Sequence, residues 1–211
     1  MVRIKFCGIT NLQSAKSAIE AGADAIGFVF TNSKREVTPE QAKHIISQLP
    51  PFVTAVGVFV DERLELVNEI ANFCQLDFIQ LHGSESSEYC RLVERPVVKS
   101  IKVRNAGDLE DMHVYAEAVR GILFDSHVHG KSGGTGKSFP WEHIVSIQDK
   151  SKVILAGGLN VDNIEEAILK TRPYAVDVSS GIETNNVKDP LKMHEFVNRV
   201  RNCVMKISSD K

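Results

Sequence analysis

Short runs rich in Val, Ile and Phe alternate along the chain with longer segments whose apolar residues recur at helical spacing. The runs predict strands at residues 4–7, 25–30, 54–60, 78–81, 97–101, 121–125, 153–156 and 175–178. Helices are predicted between them, among others at 12–21, 39–48, 64–73, 109–119, 161–169 and 191–206. Thr38 before Pro39 and Asp189 before Pro190 mark helix entries, since proline lacks an N–H that has no partner in a first turn anyway. The last helix carries Leu191, Phe196, Val197, Val200, Val204 and Ile207 as one apolar stripe, suited to lying on a sheet.

Strands that alternate with helices imply a parallel sheet with crossover connections. Eight such units within 211 residues fit a small α/β protein, a (β/α)8 TIM barrel. An open doubly wound sheet is the alternative, but eight strands are many for it at this length, and closure leaves no edge to protect. No linker or composition break divides the chain, so residues 1–211 are expected to form a single domain. In a barrel the chemistry lies on the loops that follow the strands, which makes strand C-terminal ends the positions to inspect.

Composition is ordinary for a globular protein, with 43% apolar and 25% charged residues. A formal net charge of -2 gives no broad attraction for nucleic acid or anionic lipid, so any anion must be bound locally. No stretch reaches the roughly 18 apolar residues of a membrane helix, and Met1 to Lys5 does not open a signal peptide. The four cysteines, Cys7, Cys74, Cys90 and Cys203, are scattered without metal or redox spacing. The expectation is a reduced, cytoplasmic protein with no nucleic-acid or membrane partner, either monomer or homodimer.

Cys7 ends the first strand just before a predicted helix start, where a helix dipole favours thiolate and makes a general base; the alternative is a small core residue. Asp125 ends the apolar sixth strand, where desolvation favours the protonated acid form, or it caps a neighbouring amide. The loop 126–138 after it is rich in glycine and reads as a lid that closes over substrate. Its Gly136-Lys137-Ser138 ending is not a P-loop, because that spacing requires glycine where Lys131 stands. His127 and His129 lack a third ligand at metal spacing, so no metal is expected. His82, after the fourth strand, either lines the pocket or caps a turn.

Two glycine-bearing segments follow the last two strands: Gly157-Gly158 in one, Ser180-Gly181 in the other. Backbone amides there, with helix starts beyond, would cradle a phosphate as is common in barrels; tight turns are the plainer reading. Arg35, in the loop after the second strand, presents a fork matched to a carboxylate. Asp177, inside the eighth strand, either accepts from sugar hydroxyls or is a structural carboxylate.

Taken in order, Lys5-Phe6-Cys7-Gly8-Ile9-Thr10, Gly27-Phe28-Val29-Phe30, Ser33 with Arg35, Gly57-Val58-Phe59-Val60, Gln80-Leu81-His82-Gly83, Gly133-Gly134-Thr135-Gly136, Ala156-Gly157-Gly158-Leu159 and the run from Asp177 to Glu183 resemble the phosphoribosylanthranilate isomerases of tryptophan biosynthesis. The resemblance covers nearly the whole chain. It implies an Amadori rearrangement of a phosphoribosyl substrate, with Cys7 as general base, Asp125 as general acid and Arg35 on the anthranilate carboxylate. His82 and Asp177 would line the sugar, and Gly157, Gly158, Ser180 and Gly181 would hold the phosphate. No cofactor is implied, because the reaction has no redox step. Glu36 beside Arg35, Pro140 before Trp141 and Asn186 depart from the family's usual residues. A histidine-pathway isomerase of the same fold is the nearest competitor; it looks to use two aspartates, where this chain has Cys7. A non-catalytic phosphate-binding barrel would have little reason to keep Cys7, Asp125 and Arg35 together.

Overall fold

A computed structural model describes residues 1–103, 106–109, 111–125, 141–147 and 149–209 of the chain. The expected lid at 126–138, with His127 and His129, and Pro140 lie outside the described residues. Eight parallel strands close into a barrel in sequence order: β1 Arg3–Cys7, β2 Ala25–Val29, β3 Thr54–Phe59, β4 Phe78–Leu81, β5 Val97–Lys102, β6 Gly121–Asp125, β7 Val153–Ala156 and β8 Ala175–Val178. The ring closes through β1 and β8, where Lys5 is opposite Asp177 and Phe6 opposite Val178. All eight expected strands are present, with ends that differ by no more than a residue or so, and the closed sheet decides for the barrel over the open alternative.

Outside the barrel lie α1 Leu12–Ala21, α2 Pro39–Ile46, α3 Leu64–Cys74, α4 Ser87–Leu92, α5 Asp111–Tyr115, α6 Glu142–Val145, α7 Ile164–Thr171 and α8 Pro190–Ser209. Thr38 caps α2 in a reciprocal box with Gln41, as the Thr-Pro entry suggested. The expected extension of α2 to Gln48 fails because Ser47 Oγ and Gln48 Nε2 both take the carbonyl of His44, closing the last turn. Likewise α7 begins at Ile164 and not at 161, since the Asn160 side chain accepts from the Asp162 and Asn163 amides and holds them in a turn. The helix expected at 109–119 is split: a 3-10 turn at Ala106–Leu109 precedes α5, and Ala116 and Ala118 donate to carbonyls three residues back. Helices α4 and α6 are additions, too short to show a periodic apolar face in the sequence.

Strand alternation divides the side chains into two sets. Outward residues such as Ile4, Phe6, Ile26, Phe59 and Val176 pack against the helices and form the main core. Inward residues Val98, Leu123 and Ala156 form a small apolar plug inside the barrel, against Phe78 and Ile154. Above this plug the inward positions become polar, with Lys5, Gln80 and Asp177 buried. With this cluster filling the interior, the open space lies at the C-terminal ends of the strands.

Helix α8 is anchored by Phe196, fully buried, whose ring meets Phe6 edge-on with centroids 6.1 Å apart. Phe6 stands between Lys5 and Cys7 on β1, so this contact fixes the strand that carries the thiol. Phe196→Ala is expected to cost about 3–5 kcal/mol of folding stability, from lost burial plus the cavity left behind. Urea unfolding of the two proteins measures it.

Candidate active site

Inward side chains at the ends of β1, β4, β6 and β8, with the loops after β2 and β7, enclose a cavity of about 300 Å³. Cys7, Arg35, His82, Asp125, Gly157, Gly158, Asp177 and Ser180 all line it. Gly181 alone of the expected residues does not, and its part is structural. A Cβ there would collide with the backbone carbonyl of Leu159, so glycine lets the turn after β8 lie against the segment after β7. Gly157 and Gly158 take φ of 82° and 66°, and their turn is braced by Asn163 Nδ2, which donates to Gly158 O at 2.9 Å.

The helix dipoles expected at these two segments are not there. After Gly158 the first helical residue is Ile164, and after Ser179 the chain makes only a short 3-10 turn, Ser180–Ile182. What the glycines bring together at this rim is backbone groups and side chains.

Cys7 is partly accessible on the cavity wall. Gly8 to Asn11 separate it from α1, which starts at Leu12 behind its cap Asn11, whose side chain accepts from the Ser14 amide. Two cations of the wall, Lys5 and Lys188, also act on the Cys7 thiol. Burial pushes the Cys7 thiol up and Asp177 adds to this, while Lys5 and Lys188 draw it down; the net shift is upward.

Asp177 Oδ2 binds Lys5 Nζ at 3.0 Å within the barrel, leaving Asp177 Oδ1 buried without a partner. Across the cavity His82 Nε2 lies 3.0 Å from Asp125 Oδ2, and His82 Nδ1 lies 3.1 Å from Gln80 Nε2. His82 thus bridges Gln80 and Asp125. Gln80 Oε1 is the second buried acceptor without a partner.

Arg35 is held by the chain's own Glu183, Nε to Oε1 and Nη2 to Oε2, each 2.7 Å. This fork-on-fork pair fixes the guanidinium over the cavity and uses two of its three nitrogens. Lys188 Nζ shares Glu183 Oε1 at 2.7 Å. Burial pushes Glu183 up, yet its bonds to Arg35 and Lys188 outweigh this and hold the carboxyl below its usual range. Glu36, by contrast, is exposed, and the carboxylate that competes for Arg35 is Glu183.

Four participants escaped the sequence reading. Lys5 and Gln80 stand two positions before Cys7 and His82, and strand alternation alone would have put them on the same inward face. Glu183 and Lys188 pair across a two-stranded turn, Glu183–Thr184 with Val187–Lys188, that no local pattern announces. Among the described residues there is no cluster of His, Cys, Asp and Glu able to hold a metal ion.

A family model described as N-(5′-phosphoribosyl)anthranilate (PRA) isomerase matches residues 4–199. The N-(5′-phosphoribosyl)anthranilate isomerase of Pelobacter propionicus is 48% identical over 199 residues, 93% of this chain and 94% of that protein. The crystal structure of phosphoribosyl anthranilate isomerase from Thermotoga maritima superposes with a TM-score of 0.88 at 42% identity, covering 96% of this chain and all of that one. A phosphoribosyl anthranilate isomerase in complex with reduced 1-(o-carboxyphenylamino)-1-deoxyribulose 5-phosphate gives 0.85 at 41% identity, covering 96% of this chain. On both sequence and structure, the chain belongs to the N-(5′-phosphoribosyl)anthranilate isomerase family.

Proposed function

We propose that this chain converts N-(5-phosphoribosyl)anthranilate into 1-(2-carboxyphenylamino)-1-deoxyribulose 5-phosphate, a step of tryptophan biosynthesis. The observation that carries the proposal is that Cys7 and Asp125, from strands three places apart around the ring, line one cavity. Asp125 protonates the ribose ring oxygen as its bond to C1 breaks, and the nitrogen lone pair forms the C1 iminium. The Cys7 thiolate then takes the C2 proton. The freed electron pair makes the C1–C2 double bond and neutralises the nitrogen. The enolamine loses its hydroxyl proton and gains one at C1, giving the ketone.

Each group has a place in this scheme. The phosphate sits against Gly157, Gly158 and Ser180, with Gly181 allowing the two segments to close on it. Arg35 keeps Nη1 for the anthranilate carboxylate, since Nε and Nη2 serve Glu183. Asp177, on the cavity wall, is placed for the sugar, and His82 orients Asp125 through its Nε2 contact. Burial leaves less Cys7 thiolate, so the Lys5 and Lys188 ammoniums that draw the thiol down are what favour its working form. Free thiols at all four cysteines favour a reducing compartment, the cytoplasm.

Purified protein should consume the fluorescent anthranilate-ribose substrate. Cys7→Ala and Asp125→Asn should each lower kcat by about 10²–10⁴-fold, the usual contribution of a positioned acid or base. Near-normal turnover in either variant would contradict its assigned role. Gly181→Ala, which pushes the two glycine segments apart, should raise KM and weaken inhibition by inorganic phosphate; an unchanged inhibition constant argues against phosphate at this rim.

A further inference from the structure

We propose that Lys5 is a positioning residue for the reaction, donating an ammonium hydrogen bond to Cys7 Sγ and supplying the positive charge that lets this thiol ionise. The inference rests on the reading of Cys7 as the base. Lys5 and Cys7 occupy neighbouring inward positions of β1. Cys7 Sγ and Lys5 Nζ each lie 3.1 Å from the point that a Cβ on Gly27 would occupy. Glycine on the adjoining strand thus keeps clear the space in which thiol and ammonium meet. An ammonium has three N–H donors, and Asp177 Oδ2 takes one of them.

Charged groups surround Cys7 on this wall. Lys5 faces Cys7 from β1, Asp177 from β8, Arg35 from the loop after β2, and Glu183 and Lys188 from the turn beyond β8. His82 and Asp125 form a separate pair across the cavity, from β4 and β6. Lys5, Arg35 and Lys188 therefore stand against Asp177 and Glu183, one positive charge in excess. A Cys7 thiolate adds a negative charge to this wall, and Lys5 is the cation that faces it from the same strand. Its proton passes to water, no covalent bond to Lys5 is made, and the Nζ–H remains on the nitrogen. Burial opposes this ionisation, and Lys5 is the largest influence acting against burial.

The test is a pH titration of Cys7, followed by thiolate ultraviolet absorbance and by the rate of iodoacetamide alkylation, with Cys7→Ala as the blank. Lys5→Met and Lys5→Gln should each move the midpoint up by at least about one pH unit, a tenfold loss of thiolate at a given pH below it. Lys5→Arg, which keeps the charge, should recover most of the shift. In turnover, the acid limb of the kcat profile should move with the midpoint. Neutral variants that titrate with the wild type, or an arginine variant no better than methionine, overturn the role of Lys5. Wild-type turnover separates the two readings: an inactive wild type defeats the isomerase assignment, while an active one with Lys5-independent titration defeats only this inference.

Discussion

Parallel strands closed into a ring impose one constraint from which the site follows: side chains must alternate between the helix layer and the barrel axis. Every second residue of every strand is therefore directed at a shared interior. Lower in the ring those positions are apolar and fill it, as Val98 and Leu123 do. Near the top they are Cys7, Gln80, Asp125 and Asp177, and the space they leave is the cavity. Residues far apart in sequence meet because the ring closes through β1 and β8, which puts Lys5 opposite Asp177.

That arrangement concentrates charge where burial makes it expensive. Lys5 with Asp177, and Arg35 and Lys188 with Glu183, are taken from water into a crowded wall, where removing one member strands the rest. Such groups serve stability poorly compared with an apolar filling of the same volume. They do fix directions: Arg35 cannot swing freely while Glu183 holds two of its nitrogens, and Asp125 is aimed by His82. A site built this way holds its side chains in fixed directions.

Most of the framework was legible in the sequence because strands and crossover helices are local patterns. The run Ile4 to Cys7 and its seven counterparts announce themselves by composition, and the rim location of Cys7, Asp125 and Asp177 follows once a barrel is assumed. Short elements such as α4 lack the length for a period, and helix ends such as those of α2 and α7 depend on single side chains that bond the backbone. The electrostatics were the least legible. A helix dipole at Cys7 was a reasonable inference from adjacency, but Gly8 to Asn11 separate the thiol from α1, and cations from β1 and from the turn beyond β8 also act on it. The Glu183 grip on Arg35 joins residues from opposite ends of the chain, a relation no local pattern encodes.

The central claim, that an acid and a base flank one sugar anchored by its phosphate, is tested most directly by a crystal structure of this protein with the reduced ketose product. The account predicts the phosphate against Gly157, Gly158 and Ser180, C2 within reach of Cys7 Sγ, and the ring-derived hydroxyl on the side of Asp125. A phosphate bound elsewhere on the rim, or Cys7 and Asp125 both meeting the same side of the sugar, would contradict it.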